Sequence, residues 1–563
     1  MSNKFAKCFF ALLIAIGLTL TTSIACAQTI TGSIRGSVTD ASGAVIAKAT
    51  VVATQNATGV QTTTKSDASG IYNFQFLPIG PYTVTATAQG FKTEQVGPLT
   101  LEIDQIAEVN IKLQVGAIST TVSVSADNSE MLQTQNTTMG TTVTSNTMEN
   151  LPLSGLNFQV AGVFVAGAVL PRFDLMGGSA GFERDITSAT LPSFNGNRQQ
   201  GNNYVMDGVE INEPTNNMIG YKPAPEAIQE IRTITGNADA EYGDVNGGEF
   251  VMVTKGGTNQ FHGSAYEYYE DQYLTANLWS NNNHAAPIAK GIFHQDQFGA
   301  TFGGPVKKNK LFFFVDYLGT RNISAGTGTA TVATTKMRTC TPNGGVTTCD
   351  FSELLTTPGV QLYNPAVTAG NPTGGYTSAT PYVNNQIPIN NPVATYLFAT
   401  PSVYPTPNRT ADAGTVDRNN YGAPTAGVIR NNQGDVKVDW TLDAKDSLLF
   451  RYSDGDAYDF SPKVVLPVTF PSSNEYPFHS GVVNWVRTFS PALVNQARAG
   501  LSRVQWFNGV PIDPTGKFGI TGDKTVGIPL SQAYNGFSLI SISSSESNVG
   551  TAAIVQDLGC ALL

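Results

Sequence analysis

After Phe261 the chain falls into runs of about ten residues, the length a tilted strand needs to cross a bilayer, and the connections between them alternate in length. Strands are expected at 261–271, 295–306, 311–321, 433–442, 447–456, 479–489 and 492–506. Three connections are short and polar: KKNK at 307–310, DAKD at 443–446 and SP at 490–491. They alternate with long ones at 272–294, 322–432 and 457–478. A soluble sandwich has no reason for that alternation. Short turns on one side and long loops on the other are what antiparallel barrels in a membrane show. Within the runs, Val436, Val438, Trp440 and Leu442 share a face opposite Asp435, Lys437, Asp439 and Thr441, and Leu448, Phe450 and Tyr452 repeat the pattern. Tyr266, Tyr268, Tyr269, Phe312, Phe313, Phe314, Trp440, Trp485 and Trp506 suit the interfacial girdles of such strands, with carbohydrate stacking as the other reading.

The front of the chain carries an export signal. Lys4 and Lys7 precede an apolar run at 8–20, and Ala25-Cys26-Ala27 supplies a small-x-small cleavage site, so the mature chain is expected to begin near Gln28. Lipidation at Cys26 is the rival, disfavoured by Ser23 where lipoprotein signals prefer Leu. No later apolar run reaches the roughly 18 residues of a spanning helix; the longest, 160–170, stops at Pro171. Any membrane span must therefore be a closed sheet. Charged residues are only 13% of the chain, about half the roughly 25% of ordinary globular proteins. A net charge of −10 and no basic patch with interleaved aromatics exclude nucleic acid as a partner. Cys340 and Cys349 form a close pair, expected to be a loop-closing disulfide after export, and Cys560 stands alone.

Residues 33–113 break into seven short strands. Tyr82, Val84, Ala86 and Ala88 alternate with Thr83, Thr85 and Thr87, so one face is dry and one wet. The turn DASG occurs at 40–43 and again at 67–70, with Asp first and Gly fourth as a type I turn prefers. A β-sandwich is expected. The segments GSVTDASGAVIAKATV, SDASGIYNFQFLPIGPYTVTATAQGF and VNIKL resemble the carboxypeptidase regulatory-like domain. That resemblance implies an accessory module without catalysis. The residues agree, since neither HExxH nor HxxE occurs. Binding and simple spacing remain its two possible roles.

From 117 to 255 the pattern becomes that of a compact α/β domain. It contains ENLPLSGLNF (149–158), FNGNRQQGNNYVMDGVEINEP (194–214) and PAPEAIQEIRTITGNADAEYGDVNGGEFVMVTKGGTNQFHGS (223–264), followed by FGATFGGPVKKNKLFFFVDYLGTR (298–321). This ordered set resembles TonB-dependent outer-membrane transporters of the Oar-like type, and the middle segment resembles their plug. The resemblance implies a plug motif at Asn203, Tyr204, Asp207 and Gly208. In it Asp207 serves its own backbone in a tight turn, Gly208 supplies a permissive φ, and Val205 and Val209 face the plug core. A catalytic reading would need a second carboxylate or a His. Glu210 is a candidate, but no His lies within fifty residues on either side. Phosphate-loop signatures are missing as well. Pro225 and Glu226 suit a short helical start, and 249–254 reads as a strand before a glycine turn. The strand TTVSVSA, with Thr121, Val122, Ser123, Val124 and Ser125, resembles the segments that pair with TonB by strand addition; a plain linker strand is the alternative.

The chain is thus expected to be mainly β: a seven-stranded N-terminal sandwich (28–116), a small α/β plug (117–255) and the N-terminal part of an antiparallel transmembrane β-barrel (256–563), after a signal at 1–27. The implied function is TonB-dependent capture and uptake of an extracellular ligand, with oligosaccharide, iron chelate and peptide all open. Its partners would be the TonB complex and outer-membrane lipid. No cofactor, metal or covalent chemistry is expected, because His262, His284, His294 and His479 lack metal spacing. A surface adhesin using the sandwich and the long loops is the alternative. Seven strands, with an eighth in GFSLISISSS (536–545), fall short of the about 22 of plugged transporters. The closing VQDLGCALL lacks the family's terminal aromatic strand. The expectation is therefore a partial barrel that does not insert alone as a stable pore.

Overall fold

The computed structural model describes residues 30–116, 121–124, 137–151 and 192–538 apart from short gaps, together with 158, 164–169 and 557–558. The expected signal at 1–27, Ser125, His284, Cys560, most of ENLPLSGLNF and most of the expected eighth strand lie outside these residues.

The N-terminal domain contains β1 (Gly32–Asp40), β2 (Thr50–Gln55), β3 (Gln61–Lys65), β4 (Ile71–Leu77), β5 (Gly80–Thr87), β6 (Thr93–Leu101), β7 (Ile106–Glu108) and β8 (Ile111–Leu113). One sheet places β4, β1 and β7 side by side with β8 also on β1; the other runs β3-β2-β5-β6. Between them lies a dry core that includes Val51, Tyr72, Phe74, Val84 and Leu101. There are eight strands rather than the expected seven, because the last one breaks at Val109. The Val109 N–H donates to the Arg35 carbonyl at 2.7 Å, and the Tyr72 hydroxyl donates to the Val109 carbonyl at 2.6 Å. The Asn110 side chain then takes the Ser37 N–H at 2.9 Å, before the ladder resumes. Beyond this domain, β9 (Thr121–Val124) pairs in parallel with β6.

The middle domain begins with β10 (Met139–Thr144) and a short helix, Ser145–Asn150. A small ribbon, β11 (Ala168–Val169) with β12 (Ser193–Phe194), follows. Next come β13 (Asn203–Met206), β14 (Val209–Glu210), β15 (Ile228–Gly236) and β16 (Glu249–Thr254). Their sheet has the order β10-β15-β16-β13-β14, with β13 and β16 parallel. All six residues of β16 are buried, since both faces of this sheet are covered. Tyr204, Met206, Ile231 and Phe250 pack on one side, and Ile234, Val251 and Val253 meet Ile30, Ile79 and Ile103 of the N-terminal domain on the other. A sheet covered twice gives a continuous apolar run instead of alternation.

The rest of the chain is one antiparallel meander, here called the wall: β17 (His262–Asp271), β18 (Ile292–Lys307) and β19 (Leu311–Ala330) lead into an outer-loop region. That region carries β20 (Cys340–Asn343), β21 (Val346–Asp350), β22 (Tyr363–Gly370), β23 (Tyr376–Pro381) and β24 (Gln386–Pro388). The wall resumes with β25 (Tyr421–Thr441), β26 (Asp446–Lys463), β27 (Ser473–Ser490), β28 (Leu493–Val504), β29 (Trp506–Asn508) and β30 (Asp557–Leu558). The short turns expected at 307–310 and 443–446 fall between β18 and β19 and between β25 and β26, and Pro491 of the third lies outside the described residues. The long-loop ends depart from the expectation: β19 runs nine residues past the expected end at 321, and β25 starts twelve before 433. The expected strand 492–506 also splits, because Gln505 donates its N–H to the Pro477 carbonyl at 3.0 Å between β28 and β29.

The wall turns its polar face inward. Asp435, Lys437, Arg451, Ser453 and Ser480 are buried, while their neighbours Val436, Trp440, Phe450, Tyr452 and Val483 are more than 40% exposed. Consecutive strand residues face opposite ways, so the expected girdle at Phe312, Phe313 and Phe314 needs correcting: Phe312 and Phe314 are buried on the inner side. Trp506 also points inward, into the core beside Tyr204 and Phe250. The region 331–420 is not a bare loop. Val332, Met337, Leu397 and Tyr404 form a core with Phe470 and Phe518 from the other long connections, and the Arg338 guanidinium stacks 4.4 Å from the Tyr404 ring centre. Cys340 and Cys349 are joined by a disulfide across the β20–β21 hairpin. Among the described residues no helix is long and apolar enough to cross a membrane.

Candidate functional site

The motif that draws attention in the sequence closes the β13–β14 hairpin. Asp207 and Gly208 have φ of 49° and 82°, as a two-residue turn with both central residues left-handed requires. Gly208 has a second constraint, because a Cβ there would overlap the Arg498 guanidinium of β28. The side chain of Asp207 does not serve its own turn, contrary to the expectation. Its carboxylate accepts the Thr254 N–H at 3.2 Å and the Thr254 hydroxyl at 2.6 Å, both from β16. It then faces two cations of the wall: Lys437 Nζ on β25 lies 3.4 Å from Oδ1, and Arg451 Nε on β26 lies 3.2 Å from Oδ2. All three charged groups are buried. Lys437 also donates to the Thr254 carbonyl at 2.7 Å, and Arg451 to the Met206 carbonyl and Ser480 hydroxyl at 3.2 Å each.

The network continues around the middle domain. Ser453 links Arg451 to Asp435. The Tyr221 hydroxyl donates to Asp435 Oδ2 at 2.8 Å, and burial, then Asp435 and Asp316, hold that phenol well above its ordinary pKa. The Tyr268 hydroxyl of β17 donates to Glu226 Oε1 at 2.6 Å. Glu226 thus meets the wall rather than simply completing the three-residue turn at Pro225–Ala227. Buried charges persist only when paired and hydrogen-bonded, and here every partner of Asp207 outside its own domain belongs to the wall.

Asn203 and Tyr204 act inside the middle domain. Asn203 donates to Glu249 Oε1 at 3.0 Å, and burial pushes the Glu249 carboxyl up to about 8. Tyr204 stacks on Phe250 with ring centres 4.9 Å apart. Val205 is buried in the domain, but Val209 packs against Gly500 of the wall, so the expectation that both valines face the core is half corrected. Glu210 lies opposite Val205 in the hairpin. His294 and His479 pair with neighbouring carboxylates, His479 with Asp454 at 2.7 Å, whereas His262 Nδ1 lies 3.1 Å from the Gln260 carbonyl.

A second junction joins the middle domain to the N-terminal one. The Ile103 N–H donates to Glu230 Oε1 at 2.7 Å, and Arg232 donates to the Ile103 carbonyl at 3.1 Å. Burial pushes the Glu230 carboxyl up to about 8, opposed by the Ile103 N–H. Nearby, Asp104, Asp239 and Glu241 bring carboxylate oxygens within 4.8 Å of one another. Arg232 lies 3.7 Å from Asp104, and no metal is assigned to this partly exposed group.

Lys437, Arg451, Asp435, Tyr221, Thr254 and Arg498 are the site residues that sequence reasoning missed. The one signal available was that strongly basic side chains sit at inward positions of β25, β26 and β28 in a chain otherwise poor in charge.

A family model described as an outer membrane beta barrel domain matches residues 253–557, and one described as a carboxypeptidase regulatory-like domain matches residues 33–114. The TonB-dependent transporter Oar of Myxococcus xanthus is 28% identical over 265 residues, covering 46% of this chain and 24% of that protein. The chain therefore spans about a quarter of the length of this relative. Among solved structures, the ferric enterobactin receptor of Pseudomonas aeruginosa aligns with 66% of this chain and 42% of its own, at 13% identity and a TM-score of 0.35. The outer membrane transporter YddB of Escherichia coli aligns over 66% and 39%, at 13% identity and a TM-score of 0.37. With the barrel family's model spanning more than half of its residues, the chain belongs to the outer membrane β-barrel family and is a protein of the Gram-negative outer membrane.

Proposed function

We propose that the chain acts as a TonB-dependent receptor that captures an extracellular ligand and admits it by moving the middle domain, its plug, within the wall. The observation that carries this reading is the junction at Asp207. A permanent domain contact is built mainly from apolar packing. This one adds a buried carboxylate held by Lys437 and Arg451 of the wall, a polar contact whose groups water can solvate again once the domains part. The Asn203, Tyr204, Asp207 and Gly208 motif is then a latch. Residues 28–116, 117–255 and 256–563 are the accessory, plug and barrel units behind a signal at 1–27. Thr121 to Ser125 is the segment that TonB grips, and the Cys340–Cys349 disulfide braces an outer loop. The chain performs no covalent chemistry in this reading. Ligand class stays open among oligosaccharide, iron chelate and peptide.

The test is accumulation of labelled ligands of those three classes, with and without TonB, by cells in which insertion of this chain into the outer membrane has first been demonstrated, since a partial barrel is not expected to insert alone. Uptake that requires TonB, and that Val122→Pro abolishes while surface display persists, is expected. The proline removes a ladder donor from the gripping strand. The second reading, a surface adhesin, draws on the shared core of the outer loops; ligand retained at the surface regardless of TonB would favour it.

A further inference from the structure

The five-stranded sheet of the N-terminal domain does not end at β6. Residues 121–124 add a further strand, parallel to β6, with Thr121 opposite Thr93, Val122 opposite Glu94, Ser123 opposite Gln95 and Val124 opposite Val96. The chain is steered there as it leaves the domain. The Lys92 N–H donates to the Gln114 carbonyl at 2.8 Å and the Gly116 N–H to the Gly90 carbonyl at 3.1 Å, while Phe91 bridges Val115. In the strand order β3-β2-β5-β6-β9 this segment is terminal. One of its edges is taken by β6, and among the described residues the other has no partner strand.

An extended segment recognised by strand addition normally loses its conformational freedom when it binds. A segment already fixed as a sheet edge has lost it beforehand, and its free N–H and C=O groups form a ready template. We infer that the β6 edge is a binding site for the chain's own residues 121–124, and that it presents them, extended and with one edge open, to the strand of an energy-transducing partner. The accessory domain then raises the partner's affinity without touching it, by holding the gripped segment in shape. This rests on the reading of 121–124 as the TonB contact.

The test uses the full chain with Gln95→Cys and Ser123→Cys, which stand opposite each other in the ladder. The probe is the purified periplasmic domain of TonB, and wild-type chain with and without reductant controls for the native disulfide. Ready crosslinking on oxidation is expected. The crosslinked chain should bind the probe as tightly as the reduced one or tighter, and Gln95→Pro, which spoils the β6 edge, should weaken binding about ten-fold. Failure to crosslink overturns the docking. A crosslinked chain that loses binding until reduced overturns presentation, because the partner would then have to displace the segment. If Val122→Pro leaves binding unchanged in every form while the crosslink still forms, the assignment of the TonB contact fails and the docked strand stands.

Discussion

The N-terminal domain and the wall share the same period of two, yet they turn opposite faces to their surroundings. In the domain, Val51, Val84 and Ile34 are fully buried and the intervening threonines meet water. In the wall, Asp435, Lys437 and Arg451 are buried while Val436, Phe450 and Val483 look outward. The first arrangement is what water selects and the second is what lipid around a polar lumen selects. One alternating pattern therefore carries two meanings. Connection length, short and long in turn, is what separated them in the sequence.

Charge placed at equivalent alternation positions should expose that difference most strongly. Val84→Arg puts an unpaired charge into the sandwich core and is expected to cost upwards of about 4 kcal/mol, read as loss of protease resistance in residues 32–113. Val436→Arg on the outer face of the wall should cost ~2–4 kcal/mol near the bilayer midplane, read as weaker membrane retention with the sandwich intact. Equal effects on both regions would erase the contrast.

Arg451→Met tests the inner face. It leaves Asp207 with Lys437 alone in a buried setting, and is expected to cost about 3–5 kcal/mol. Amide protection across 203–210 and 249–254 should fall, and adding Asp207→Asn should recover part of it. Arg487→Met, which removes a partly exposed pair with Asp446 at 3.2 Å, should cost under about 1 kcal/mol.

The junction between the sandwich and the middle domain should respond to pH. Glu230 is held at about 8 by burial, against an ordinary 4.5. A separated domain gives up that proton at lower pH. The junction is therefore at full strength below about 4.5 and weakens as pH rises towards 8. Amide protection around Ile103 should be higher at pH 5 than at pH 9, and Glu230→Gln should flatten the difference. At the outer loops the effect is expected to stay local. Cys340→Ser with Cys349→Ser opens a loop of nine residues, should cost at most about 3 kcal/mol locally, and should leave the wall unchanged.

Legibility followed the solvent. The turns at 307–310 and 443–446 were readable because polar turn residues interrupt strands flanked by alternation. The outer ends at 322–330 and 421–432 were not, because between the buried Asn322 and Ala330 the residues Ile323, Ser324, Gly326 and Thr327 are exposed on both faces and no apolar alternation marks the strand. Their pairing comes from the ladder itself, Asn322 opposite Ile429 and Ala330 opposite Tyr421. At the site, the Asp207-Gly208 turn was legible as local chemistry. Its partners were not, since Lys437 and Arg451 lie more than two hundred residues away and no local rule links them. Phe312 to Phe314 misled in the opposite sense, because composition suggested a girdle where alternation had already divided the three.

In this reading β25 separates lipid from a polar interior occupied by the middle domain. Single cysteines placed from 433 to 440 in outer membranes, probed in parallel with a lipid-restricted and a water-soluble thiol reagent, test it directly. Strong lipid-phase labelling at 436, 438 and 440, with none at 433, 435 and 437, is the result this account predicts. Uniform labelling by the water-soluble reagent along the whole run would contradict it.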